Sequence, residues 1–244
     1  MAESLKLGDL TIVREEAIAQ VNAGARILDV NVVTSGVDEI VLLPRVVQVL
    51  MEAVDVPISI DINNPKALEE VLKIYKGKPI VNSVTGEEDL LNDILPLVKE
   101  YGTAVIGLTI DEEGIPKDLD KRLVIANKIV ERAHAFGIPI EDVIIDCLAL
   151  TIGADSQAGL VTLEAIRKVR EQLGVNQTLG VSNISFGLPN RPLLNQIFLS
   201  MAIAAGVTCP IVDVDKIHSV VLATDLVLGL DKYAMRYIKN YRSS

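Results

Sequence analysis

About once every 30 residues, a polar residue closes an apolar run of this chain: Asp29, Asp61, Asn82, Thr109, Asp146, Asn183 and Asp213. Most of these runs are rich in Val and Ile, as parallel strands buried on both faces are. Strands are expected over 25–32, 57–62, 79–84, 103–110, 143–148, 177–185 and 209–214. Helical signals fill the intervals: the first 23 residues, 38–54, 65–75, 87–100, 118–136, 160–173, 192–205, and the chain from about 216 onward with a break near Gly229. Asp9 is a candidate N-cap for the first helix, Gly24 its stop, and Pro65 occupies the first position of its own helix. Seven strands thus alternate with eight helical segments, with no linker to divide them, and each crossover is expected to be right-handed. One domain over residues 1–244 follows.

Two closures suit such an alternation. An open doubly wound sheet places a glycine-rich phosphate loop after an early strand, and no G-x-G-x-x-G occurs. A TIM-type (β/α)8 barrel fits the length better. A barrel needs eight strands and this chain begins with a helix, so the first strand is expected to be missing, its place lying before Met1. The gap would expose two strand edges.

Charge and composition exclude several function classes. A net charge of −10 repels phosphate, and only eight residues are aromatic, none of them Trp, so nucleic acid is not an expected partner. No apolar run approaches the roughly 18 residues of a spanning helix, and no signal peptide is visible; neither membrane association nor export is expected, which leaves the cytoplasm. Two cysteines do not make a disulfide framework. His134, His218, Cys147 and Cys209 fall on segments that do not bring three of them together, so no metal site is expected. Cys147 has no His or Lys beside it and reads as a buried structural thiol. There is no G-x-S-x-G elbow for an acyl-transfer serine.

The polar strand ends are more informative. Alternation puts Asp29 and Asn31 on one face, and Ser59, Asp61 and Asn63 on one face opposite Ile58, Ile60 and Ile62. Asn82 and Asp146 each end an apolar run. All should converge on the mouth of the barrel, where unpaired buried charge is costly and demands a ligand. Carboxylates accept paired hydrogen bonds from a planar donor edge, such as the amino-pyrimidinone edge of a pterin, and amides both donate and accept. A helix-capping role competes at some positions. It remains open for Asp29; at Asp61 the neighbouring Asn64 is the better cap; Asn82 has Ser83 and Thr85 as competitors; Asp146 has no evident helix to cap; Asp213 and Asp215 read as caps.

The stretch Gly180-Val181-Ser182-Asn183-Ile184-Ser185-Phe186-Gly187-Leu188-Pro189-Asn190-Arg191 presents neutral hydrogen-bonding groups before the next helix. Together with Leu28-Asp29-Val30-Asn31, Ser59-Ile60-Asp61-Ile62-Asn63-Asn64-Pro65, Val81-Asn82-Ser83, Ile106-Gly107-Leu108-Thr109, Gly114-Ile115-Pro116-Lys117-Asp118 and Ile145-Asp146, it resembles the methyltetrahydrofolate:corrinoid methyltransferases. These belong to the pterin-binding barrel superfamily that includes dihydropteroate synthase. The resemblance runs essentially the length of the chain. It implies a homodimer that binds the pterin ring through Asp61, Asn82 and Asp146, with Asn183 hydrogen-bonding near N5 and Asp29, Asn31 and Ser182 lining the site. It also implies a substrate methyl group on tetrahydrofolate and a cobalamin (corrinoid) carried by a partner protein. The first-strand motif of the family has no counterpart here. A dihydropteroate synthase would carry cations where this chain has Ser182-Asn183-Ile184, and a non-catalytic pterin-binding or scaffold subunit is the other alternative.

Overall fold

The computed structural model describes residues 10–33 and 37–242. Six parallel strands pair in chain order: β1 (Leu28–Val30), β2 (Ile58–Asp61), β3 (Ile80–Val84), β4 (Ala104–Leu108), β5 (Val143–Asp146) and β6 (Asn176–Thr178). The helices among the described residues are α1 (Thr11–Asn22), α2 (Glu39–Ala53), α3 (Pro65–Ile74), α4 (Glu88–Tyr101), α5 (Leu119–Ala135), α6 (Ala158–Gln172), α7 (Arg191–Ala205), α8 (Val214–Val227) and α9 (Met235–Arg242). The chain is therefore an α/β fold built on a curled, parallel half-barrel. None of these helices is long and apolar enough to cross a membrane.

Strand alternation separates two apolar layers. Ile58, Ile60, Val81, Val105 and Ile145 belong to the large outer core with the helices. Ile80, Ala104, Ile106 and Ile144 form a second, smaller core with Ile27, Leu108 and Cys209 packed against it. Counting two residues onward from Ile80 and Ile144 reaches Asn82 and Asp146 on the inner face. The inner face thus changes from apolar to polar toward the C-terminal strand ends. Gly107 permits close packing of α5 on β4, since a Cβ there would stand 2.6 Å from Cγ2 of Ile129.

Several local expectations change. Asp9 lies outside the described residues; the N-cap position of α1 is Leu10, with no side-chain cap. Asn64 does cap α3, accepting from the backbone N–H groups of Lys66 and Ala67 at 3.1 and 3.4 Å. Asp213 occupies the N-cap position of α8 but makes no cap bond, and pairs instead with Lys216 at 2.5 Å. The last helical segment divides into α8 and α9 around Gly229, whose φ is +73°.

The largest correction concerns the last two expected strands. β6 stops at Thr178, and Val181–Ser185 forms a 3₁₀ turn. Ser and Asn favour such turns because their side chains bond to nearby backbone, and here the Ser185 hydroxyl lies 3.3 Å from the Ser182 carbonyl oxygen. The expected seventh strand runs beside β6 without joining the sheet as a strand. The N–H groups of Thr208 and Cys209 donate to the Gln177 carbonyl at 2.9 and 3.1 Å, and Ile211 N–H to Leu179 at 3.0 Å. Between these bonds the Cys209 carbonyl accepts from the Thr178 hydroxyl at 2.7 Å, and the pairing is reduced to a single bridge between Gly180 and Ile211.

Candidate active site

The inner polar residues form two groups. In the first, Asp61 closes β2 and stands in register with Asn82 of β3, while Asp29 of β1 stands opposite Ser59. The Asn31 amide donates to Asp61 Oδ2 at 2.9 Å, and the Asn82 amide donates to Asp29 Oδ1 at 3.0 Å. Each carboxylate is thus matched with an amide from another segment. Asn31 is itself fixed by the Val33 N–H, which donates to its Oδ1 at 2.8 Å. Asn82 is buried, whereas Asp29 and Asn31 are exposed and Asp61 is half-buried. Burial pushes the Asp61 carboxyl above its ordinary range; the Asn31 bond opposes that shift and the neighbouring Asp29 charge adds to it.

Asp146 anchors the second group. It is buried at the end of β5, opposite Thr178. Its Oδ1 accepts from the Leu148 N–H at 2.7 Å, and its main-chain oxygen accepts from the Thr109 N–H at 3.0 Å and the Thr109 hydroxyl at 3.2 Å. Burial raises its carboxyl to about 6, against stabilisation of the ionised form by the N–H groups of Leu148 and Gly180 and by the Arg122 guanidinium. The Gly180 contact joins Asp146 to the turn that carries Ser182 and Asn183. Asn183 is exposed on that turn instead of ending a strand, and a Cβ on Gly180 would lie 3.3 Å from its side-chain nitrogen.

All seven expected site residues therefore lie on these two groups: Asp29, Asn31, Asp61 and Asn82 on one, Asp146, Ser182 and Asn183 on the other. Cys147 is fully buried beside them, its thiol 3.6 Å from Gln177 Oε1 and pushed far above the ordinary thiol range chiefly by burial. These are the features of a buried structural thiol.

Two arginines complete the surroundings without having been singled out from the sequence. Arg191 donates to the Ser182 carbonyl at 2.9 Å and to the Ser185 hydroxyl at 3.1 Å, and lies over the Phe186 ring at 5.7 Å. A cation does therefore reach the turn whose own residues carry none. Arg122 has its side chain buried beneath the Asp146 loop. Its position was detectable: it shares the helical spacing of the buried residues Ile125, Ala126 and Ile129.

The pterin binding enzyme family matches residues 1–213. The chain is 31% identical over 241 residues to the methylcorrinoid:tetrahydrofolate methyltransferase of Eubacterium limosum, covering 96% of this chain and 88% of that protein. It is 32% identical over 211 residues to the methionine synthase of Mycobacterium leprae, covering 81% of this chain and 18% of that much longer protein. In fold it is similar to the dihydropteroate synthase of Yersinia pestis, with a TM-score of 0.72 at 17% identity over 91% of this chain and 90% of that one. By the extent of that family match and of the first relative, with polar strand ends gathered on one inner face, the chain belongs to the pterin-binding enzyme family.

Proposed function

We propose that this protein is a methyltransferase moving a methyl group between N5 of methyltetrahydrofolate and the cobalt of a corrinoid carried by a separate protein. The observation that carries the proposal is the inner polar face, where Asp61 and Asp146 close their strands, Asn82 stands beside Asp61 within β3, and Asn183 stands exposed on the adjoining turn. The name of the Eubacterium limosum relative supports the same chemistry. Asp61 and Asp146 would accept from the amino-pyrimidinone edge of the pterin, and Asn82 would meet an edge of mixed polarity. Asp29, Asn31 and Ser182 would line the site, Asp29 and Asn31 through their bonds to Asn82 and Asp61.

A methyl group on an amine is a poor electrophile because the amine leaves badly. The Asn183 amide would donate a hydrogen bond to N5 that strengthens as charge develops there. The nucleophile would arrive with the partner, so the chain needs none of its own, and the mouth must stay open for docking. Mixing the protein with methyltetrahydrofolate and reduced cobalamin is expected to produce methylcobalamin, followed by its absorbance. No absorbance change, with folate still bound, would leave the non-catalytic pterin-binding subunit. The Arg191 cation at Ser182 favours a second reading, dihydropteroate synthase, which product formation from a pterin pyrophosphate and p-aminobenzoate would establish.

The half-barrel would be most of a (β/α)8 barrel whose first strand would lie along β1; a cavity of about 110 Å³ there is lined by Val13, Ala17, Leu28 and Val30 among others. The enzyme would act in the cytoplasm. It would be a homodimer, supported by a groove of about 570 Å³ between α7, α8 and α9 and by exposed Leu193, Ile197, Met201 and Val227. Sedimentation is expected to give twice the 26.4 kDa chain mass, and a single-chain mass at micromolar concentration would remove the dimer.

A further inference from the structure

We infer that Arg122 is a positioning residue for the site, clamping the strained turn that aims a backbone N–H at Asp146. Leu148 has a φ of +58°. This left-handed conformation is costly for a branched side chain and persists only where its surroundings impose it. The Leu148 N–H is the group that donates to Asp146 Oδ1 at 2.7 Å. Arg122, on the first turn of α5, imposes that conformation from below. Its Nη1 donates to the Cys147 carbonyl at 2.7 Å, the Leu148 carbonyl at 2.8 Å and the Thr162 hydroxyl at 3.2 Å. Its Nε donates to the Pro116 carbonyl at 2.9 Å. One guanidinium thus fastens the β4–α5 loop, the β5–α6 loop and α6 together directly beneath the carboxylate. The single Thr162 hydroxyl hydrogen is shared between the Leu148 carbonyl at 3.1 Å and the Ala158 carbonyl of its own helix at 3.0 Å.

Stability alone does not account for this residue. The Arg122 side chain is buried, and its Nη2 has no hydrogen-bond partner among the described residues. Burial draws its pKa below the ordinary value. An incompletely paired cation in an interior is less favourable than a well-packed apolar side chain of the same volume. What it adds is a fixed carboxylate geometry and a positive charge near Asp146. The other titratable groups acting on or sensing that carboxylate are Cys147, next in the chain, and Cys209 from the segment beyond β6. Neither thiol supplies a positive charge.

The inference rests on Asp146 binding the pterin, so Asp146→Asn belongs in the same experiment. The intact protein is titrated calorimetrically with methyltetrahydrofolate from pH 5.5 to 8. Arg122→Lys keeps the charge and loses the fork, and Thr162→Val loosens the same turn. Each is expected to weaken binding at pH 8 about tenfold, because a hydrogen bond to a charged acceptor loses much of its strength when it is lengthened or misaligned, while the pH midpoint stays put. Arg122→Met removes the charge as well and moves the midpoint upward; if it does not fold, the other two variants decide. Wild-type affinity in Arg122→Lys and Thr162→Val at every pH, even with lowered melting temperatures, overturns the clamp if Asp146→Asn binds weakly. Wild-type affinity in Asp146→Asn overturns the pterin assignment itself and the clamp with it.

Discussion

Replacing Asp146 with asparagine is expected to make the folate-free protein more stable at pH 8, by about 1–2 kcal/mol, while weakening methyltetrahydrofolate binding on the order of a hundredfold. Both effects come from the same burial. The carboxyl is raised from 3.8 to about 6 mainly because ionisation at a buried site is unfavourable. Well below pH 3.8 the folded and unfolded chains both carry the proton. Between about 4 and 6 the unfolded chain has released it and the folded chain has not, so the folded state loses stability as pH rises through that window. Asp61, raised in the same direction, adds to the slope. Asparagine has no proton to release, so the Asp146 part of the slope should vanish in the variant. Its amide oxygen can still accept from the Leu148 N–H, while its NH2 group faces the Gly180 N–H, and that lost bond keeps the gain below the full value of the shift. The planar donor edge of a pterin, however, loses an ionised acceptor, and hydrogen bonds to charged groups contribute about 1.5–3 kcal/mol. Urea midpoints from pH 4 to 8, with folate titrations at pH 8, check both halves. Parallel stability curves for the two proteins would remove the buried-charge argument, and equal affinities would remove Asp146 from the pterin site.

The alternation of apolar runs and helical signals was enough to place all six strands of the half-barrel and to locate the polar strand ends. Asp29, Asp61, Asn82 and Asp146 were legible because alternation is rigid: once Ile80 and Ile144 face the inner core, Asn82 and Asp146 must follow them. Other features were not legible. The run from Gln177 to Ser185 has strand-like spacing at its start but turns into a 3₁₀ segment at Val181–Ser185, and the next run meets β6 through the Thr178 hydroxyl on the Cys209 carbonyl and a single bridge at Ile211. Both outcomes depend on tertiary contacts that periodicity does not encode. Arg122 was overlooked because a charged side chain on a helix is ordinarily solvated; its position on the apolar spacing of α5 was the available clue. Arg191 was in plain view, but nothing in the sequence told that its guanidinium would turn back onto Ser182 and Ser185.

Asn183→Ala is expected to lower the rate of methyl transfer about 10²–10³-fold while changing folate affinity by no more than about twofold. The separation follows from where the residue stands. Asn183 is exposed on the 3₁₀ turn, and that turn is held by other groups: Arg191 on the Ser182 carbonyl, and the Ser185 hydroxyl on Asn195 Oδ1 at 2.7 Å. Its truncation therefore leaves the fold and the carboxylate contacts intact. In the ground state N5 of the methylated folate is a weak acceptor, so a bond from Asn183 would add little to binding. As the methyl group departs, electron density returns to N5, and a donor already in place strengthens its bond without reorganising. An interaction made mainly in the transition state lowers kcat and kcat/KM together when it is removed. Gly180 gives this amide room to approach, since a Cβ there would press on it. Stopped-flow transfer to reduced cobalamin, read beside equilibrium folate titration, distinguishes the cases. Transfer at the wild-type rate would exclude Asn183 from the chemistry, and a loss of affinity equal to the loss of rate would make it a binding group only.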